Sequence, residues 1–267
     1  MSTVQFGRIT EIITGDLKMS SESLEIEFEI PFDDDPDPNV SEILVYNLSD
    51  TTLSKLKKGV QVTMNAGYKE DKGVILSGFI SKVASEKGGA DRATRVSVID
   101  SQPIDNKKTL KKSFKKGIKG EQLLKELSKV LGLKIAVIKL PKNVVYKKGF
   151  SVNGPIVDAM KKIAKDCEAS FYISRSNVYI RSIKEGDNTQ FILNSDTGLI
   201  GSPEYFEEEK DGKVVKGYKV KSLLQYRMNT ASIIELQSVF VKGKYRVRKG
   251  KHYRRGDAYY TEVEVIA

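Results

Sequence analysis

At 267 residues the chain is long enough for two or three small domains, each burying its own core. A single cysteine, Cys167, and a single histidine, His252, exclude an internal disulfide and any metal site built from several His and Cys ligands, which suits a reducing cytoplasm. The net charge of +10 is uneven: residues 1–100 hold 11 basic and 17 acidic side chains, residues 101–267 hold 34 and 18.

In chain order, the opening MSTVQFGRIT has neither the charged leader nor the apolar segment of an export signal. No apolar run approaches twenty residues, so no membrane insertion is expected. Residues 4–13 read as a strand, followed by a turn at Thr14-Gly15-Asp16. Leu24, Ile26, Phe28 and Ile30 then alternate with Glu25, Glu27 and Glu29. In a strand this puts an apolar column on one face and a carboxylate column on the other. Pro31 is expected to end that strand, and FDDDPDPN reads as a polar loop. Its Asp33, Asp34, Asp35 and Asp37 lack the Gly and Glu that complete a calcium loop of the EF-hand kind, so a solvated loop is expected there.

Ile43 to Tyr46 is a strand by its branched and aromatic residues. Asn47 to Asp50 offers caps for a short helix with Leu53 and Leu56 on one face, and Gly59 is its natural stop. Val60, Val62, Met64 and Ala66 alternate with polar residues as a strand, residues 69–73 turn, and strands follow at 74–83 and at Arg92 to Asp100. Residues 101–119, SQPIDNKKTLKKSFKKGIK, shift abruptly to lysine and read as a linker.

From Gly120 the pattern becomes α+β. Leu123, Leu124, Leu127, Val130 and Leu131 fall at helical spacing, closed by Gly132, and Leu133 to Ile138 is a strand. Gly154-Pro155 opens a second helix with Ile156, Met160, Ile163 and Ala164 inward. Ser170 to Ile173 and Val178 to Ile180 make a hairpin around residues 175–177, and Cys167 reads as a small buried residue. The last third reads as all-β. A charged hairpin spans Glu207 to Lys216 with its tip at Asp211-Gly212, and strands follow at Tyr218 to Leu224, Ser232 to Gln237 and Gly243 to Val247. A closing strand sets Tyr260, Glu262 and Glu264 against Thr261, Val263 and Val265.

No catalytic constellation is visible. His252 lies between Lys251 and Tyr253 with no partner evident in sequence, and GIKGEQ lacks the Gly-Lys-Ser/Thr ending of a phosphate-binding loop. No catalytic residue, metal or cofactor is assigned. The lysines are scattered without interleaved stacking aromatics, which favours a solvated surface over a nucleic-acid groove.

Three stretches carry a family resemblance. The first is YNLSDTTLSKLKKGVQVTMNAGY…GVILSGFISKV with RATRVSVID after it. The second is KGFSVNGPIVDAMKKIAKDCEASFYISRSNVYI, and the third is the ending VKGKYRVRKGKHY…GDAYYTEVE. Together they resemble phage tail hub proteins, which sit at the distal end of a tail tube. The resemblance implies a mainly β chain: two tail-tube-like β-barrel domains, 1–103 and 188–267, flanking a small α+β insert, 104–187. It implies a structural virion protein of the tail tip or baseplate, made in the bacterial host cytoplasm. As a homotrimer it would join a six-fold tube to a three-fold tip or spike and form part of the DNA channel. The implied partners are further copies of the chain, the tail tube protein, distal tail or baseplate proteins, a tip or spike protein and the tape measure protein. DNA is met only in transit.

Under that resemblance Glu25, Glu27 and Glu29 would line the lumen, where carboxylates repel phosphate; an outer solvated surface is the alternative. The loop of Asp33, Asp34, Asp35, Asp37 and Asn39 would reach a neighbouring subunit. Larger relatives append a wall-hydrolase or spike-binding domain, and none is expected after Ala267. Two other readings stay open. One is a tail-associated cell-wall hydrolase, for which 35 acidic residues supply possible carboxylate pairs. The other is a basic nucleic-acid-binding module using residues 107–119 and 242–255.

Overall fold

Period-two alternation organises the N-terminal part. The computed structural model describes residues 5–101, 108–210 and 213–267. β1 (Arg8–Thr14) and β2 (Leu17–Ser20) form a hairpin, followed by β3 (Ile26–Phe32), β4 (Val40–Tyr46) and α1 (Asp50–Lys55). β5 (Gln61–Tyr68), β6 (Asp71–Gly88) and β7 (Asp91–Ile99) complete this part. Ile26, Phe28 and Ile30 are buried as their alternation requires. Ser49 caps α1 by accepting from the Thr52 N–H at 3.2 Å. The helix stops at Lys55, earlier than Gly59, whose N–H instead goes to the Ile80 carbonyl at 2.7 Å. β1 starts at Arg8, later than expected, with residue 4 outside the described residues, and the four-residue β2 is too short to show a period in sequence. β3 does not end at Pro31 but runs on to Phe32. Its ladder with β4 covers only Ile26 to Glu29, so beyond Glu29 one side has no ladder and a residue without an N–H is tolerated.

The lysine-rich stretch read as a linker is largely strand. β8 (Thr109–Phe114) pairs with β12 (Phe150–Pro155), and β9 (Ile118–Lys119) pairs with β11 (Val145–Tyr146); residues 102–107 lie outside the described residues. Phe114 and Ile118 supply the buried positions, while the Lys112 ammonium lies over the Phe114 ring at 4.8 Å and reaches Glu126 at 3.1 Å. α2 (Gly120–Leu131) and α3 (Ile156–Asp166) pack their apolar stripes on the sheet of β10 (Lys134–Ile138), β14 (Asn177–Arg181) and β13 (Ser170–Ser174). Arg175 and Ser176 take φ of +49° and +61°, the left-handed pair that closes a two-residue hairpin. Cys167 is fully buried, and burial pushes its thiol up, so it serves as a small apolar residue.

The chain ends in β15 (Asp187–Leu193), β16 (Leu199–Lys210), β17 (Lys213–Leu223), β18 (Ser232–Gln237), β19 (Lys242–Arg255) and β20 (Ala258–Ile266). β16 and β17 form the expected charged hairpin, whose tip at 211–212 lies outside the described residues. β19 continues eight residues beyond the expected Val247 because Gly250 to Arg254 finds a partner in β3.

The chain divides into two compact units. The first comprises Met1–Asp33, Asn39–Asp100 and Gly186–Ala267; the second comprises Asp34–Pro38 and Ser101–Glu185. All strands of the first unit lie in one 13-stranded sheet in the order β16-β17-β20-β19-β3-β4-β7-β6-β5-β1-β2, with β18 also on β19 and β15 on β18. Among the described residues β16 and β2 end this path and no ladder joins them. Two apolar cores lie within the unit. One is centred on Ile26, Val45, Met64 and Val98, the other on Leu193, Ile234, Val247 and Val265. The β3–β19 ladder is the seam between them.

Glu11 on β1 is nearly buried, with Lys18 at 2.8 Å and Lys72 at 3.0 Å. Hydrogen bonds from Lys18 and Lys72 hold its carboxyl below the usual range, although burial opposes them. A folded carboxylate held low contributes stability above the unfolded pKa near ~4.3 and loses it as pH falls through its folded pKa. The urea midpoint of Glu11→Gln should therefore fall less than that of the wild type between neutral pH and about pH 3. Parallel curves would show that Glu11 adds nothing to acid sensitivity.

Candidate functional site: the charged face at the seam

The registers of β17, β20 and β19 set opposite charges against one another, so that like charges line up along each strand. Lys219 and Lys221 on β17 lie opposite Glu264 and Glu262 on β20, which in turn lie opposite Lys249 and Lys251 on β19. Across the seam Tyr253 faces Glu29, Glu29 faces Glu42 on β4, and Glu27 faces Leu44. Leu44 then faces Arg95 on β7. From β17 through β20 and β19 to β3 the solvent face of the sheet thus carries alternating columns of opposite sign, whereas β4 sets Glu42 beside Glu29. Ion pairs join neighbouring columns: Lys221 to Glu262 at 3.4 Å, Lys249 to Glu264 at 3.1 Å and Arg95 to Glu42 at 3.5 Å.

The three carboxylates read as an acidic column all meet the β19–β20 hairpin. Glu29 lies 3.4 Å from Lys251, Glu27 accepts from the Gly256 N–H at 2.9 Å, and Glu25 accepts from Arg254 at 3.1 Å. Glu25 and Glu29 stay exposed and Glu27 half-buried. Sequence reasoning missed this cationic neighbour because more than 220 positions separate the partners. It also means that part of the basic stretch 242–255 is already paired with carboxylates. Exposed pairs of this kind contribute little. The triple change Glu25→Gln, Glu27→Gln and Glu29→Gln should lower stability by about 1 kcal/mol at most in a denaturant titration. A much larger loss would make these carboxylates part of the framework.

A cleft of about 750 Å³ opens beside the seam, lined among others by Phe32, Ser202, Lys219, Lys249, Lys251 and Glu264. Its polar groups come in opposite-sign pairs, a surface for mixed-charge contact. Among the described residues no three His, Cys, Asp or Glu side chains gather as metal ligands. His252 faces inward at the seam, fully buried, with its Nδ1 2.8 Å from the Thr261 hydroxyl and its ring 4.9 Å from that of Phe32. It serves packing. No helix among the described residues is long and apolar enough to cross a membrane.

The Asp33–Asn39 loop is tied at its ends. Asn39 gives its side-chain amide to Asp100 at 3.3 Å and to Asp33 at 3.5 Å, and Thr230 donates to the Asp33 carbonyl at 3.0 Å. Asp34 and Pro36 are buried within the second unit, while Asp35 and Asp37 are exposed. Of the five predicted residues, Asp33 and Asn39 thus belong to the first unit and Asp34, Asp35 and Asp37 to the second.

The family model described as baseplate hub gp41 matches residues 40–264. Among solved structures the chain is similar to the 43 kDa tail protein of prophage MuSo2 from Shewanella oneidensis. The TM-score is 0.69 at 8% identity, covering 97% of this chain and 98% of that one. The tail protein from Neisseria meningitidis MC58 gives a TM-score of 0.67 at 11% identity over 98% and 97%. The E. coli c3393 protein gives 0.61 at 8% identity over 96% and 76%. It is a component of the type VI secretion system with structural similarity to the T4 bacteriophage tail proteins gp27 and gp5. At such identities the likeness is one of fold. No curated protein sequence matches the chain.

Proposed function

The chain belongs to the baseplate hub gp41 family, and on that premise we propose that three copies form a collar between a six-fold tail tube and a three-fold tip or spike. The role is structural, among the other proteins of a phage tail or baseplate. The observation that carries the stoichiometry is the pair of apolar cores under one sheet, meeting at the β3–β19 seam. Each core with its strands acts as one tube-like β module, so a chain supplies two modules and a closed ring of three supplies six. The edges at β16 and β2, which end the strand order among the described residues, take a neighbour's strands in this reading. The loop at Asp33, Asp34, Asp35, Asp37 and Asn39 adds a second subunit contact through its exposed carboxylates.

Glu25, Glu27 and Glu29 face the DNA channel in this reading. A wall with interleaved columns of both signs has no net field with which to hold phosphate, so DNA passes without adhering. The tube protein, distal tail or baseplate proteins, tip or spike protein and tape measure protein are the neighbours of such a collar. Co-production of the chain with its tube protein, followed by native mass measurement and negative-stain imaging, tests the stoichiometry. Three chains per ring are expected; two or six per ring would overturn the proposal.

A further inference from the structure

The net charge of the chain is confined to one unit. The first unit carries 25 basic and 25 acidic side chains, the second 20 and 10, so the whole +10 belongs to the second. Two turns of this unit bring lysines together from distant positions. The Gly117 N–H donates to the Tyr146 carbonyl at 2.9 Å, and β9 pairs with β11, so the loop after β8 lies against the loop after β11. Gly149 permits the contact, because a Cβ there would lie 2.5 Å from the Phe114 carbonyl oxygen. Lys115 and Lys116 therefore adjoin Lys147 and Lys148, and Lys162 reaches over the Phe150 ring at 5.8 Å. All five are exposed, and none forms an ion pair among the described residues. Val145 is 46% exposed on the same strand as Tyr146, whose ring packs on Phe150 at 4.9 Å.

We infer that this cluster adsorbs the second unit to an anionic, phosphate-bearing lipid surface. A second copy of the chain has no complementary net charge to offer, since its first unit is neutral. Of the 20 basic residues only Arg175 and Arg181 are arginine, and Arg181 is buried with its guanidinium 2.7 Å from the Tyr172 hydroxyl. Lysine is depleted from protein interfaces, where arginine is preferred, but suits diffuse attraction to anionic headgroups. Val145 and the Tyr146–Phe150 pair among the lysines favour lipid over duplex DNA, because a bilayer interface accommodates aromatic and apolar groups beside cations. Adsorption of this kind is peripheral and needs no spanning segment.

Flotation of the full chain with vesicles of phosphatidylcholine alone, and of phosphatidylcholine mixed with phosphatidylglycerol, tests the inference. Binding is expected only to the anionic vesicles and should fall with salt. Each lysine removed should weaken it by roughly fivefold, so Lys115→Gln, Lys116→Gln, Lys147→Gln and Lys148→Gln together should weaken it about a thousandfold with an unchanged melting curve. A control quartet at Lys129, Lys134, Lys139 and Lys184 should retain most of the binding. Equal binding to neutral vesicles, an unaffected cluster variant, or an equally affected control would overturn the inference. Duplex DNA at the same phosphate concentration holding the chain as tightly as vesicles would reassign the surface to nucleic acid. Ring formation is unaffected by any of these outcomes, so the collar is tested separately.

Discussion

Tyr259→Ala is expected to cost about 4–5 kcal/mol of stability, enough to unfold much of the protein at physiological temperature. Tyr259 is fully buried, on the C-terminal strand β20, yet its ring lies in the core built by the N-terminal strands. Its hydroxyl donates to the Ile9 carbonyl at 2.7 Å and accepts from the Gly67 N–H at 2.8 Å. The ring meets Phe28 and Tyr68 edge to face, with centroids 6.2 and 5.9 Å away. Truncation removes the aromatic packing, leaves a cavity and strands two backbone groups that have no access to water. Tyr259→Phe separates the contributions: it keeps the ring and should cost only about 1–3 kcal/mol. Urea titration of both variants measures the difference, and equal losses would show that the hydroxyl alone fixes β20 to the first core.

Asp71→Ala should be the second costly change, at about 2–3 kcal/mol, because it opens the clasp between the β5–β6 hairpin and the segment after β17. Arg227 grips Asp71 with both terminal nitrogens at 2.8 Å, and the Tyr226 hydroxyl donates to it at 3.1 Å. Burial would raise the Asp71 carboxyl, but the Arg227 hydrogen bond and charge, helped by Tyr226, hold it below its ordinary value. The aspartate therefore adds stability above the unfolded pKa near ~3.9, and that stability drains away as pH falls through the folded pKa. A double-mutant cycle with Arg227→Ala isolates the pair: the double variant should be little worse than Asp71→Ala alone. Gly73→Ala attacks the same clasp independently, since a Cβ there would stand 2.3 Å from the Tyr226 ring. Additive losses in the cycle would mean that Asp71 and Arg227 act separately.

Local patterning was legible in sequence, and pairing across the chain was not. The alternation of Leu24 to Ile30 gives β3 and its buried column, and the helical spacing of Leu123 to Leu131 gives α2. What escaped was register. Nothing near Glu25 announces Arg254, and nothing near Asp71 announces Arg227, because those contacts depend on which strands become neighbours. The lysine-rich stretch read as a linker shows the opposite failure: composition hid Phe114 and Ile118, whose apolar positions were enough to form β8 and β9 once β11 and β12 could pair with them. Pro31 misled by its usual role as a terminator, which it loses on a strand whose ladder on one side has already ended. His252, unpartnered in sequence, acquires Thr261 only through the β19–β20 ladder.

Imaging the assembled tail tip at a resolution that traces strands tests the collar most directly. Three copies around the axis are predicted, each giving two sheet modules to a ring of six, with Glu25, Glu27 and Glu29 turned toward the channel. Six copies with one module each at the ring, or a seam face turned outward, would contradict it.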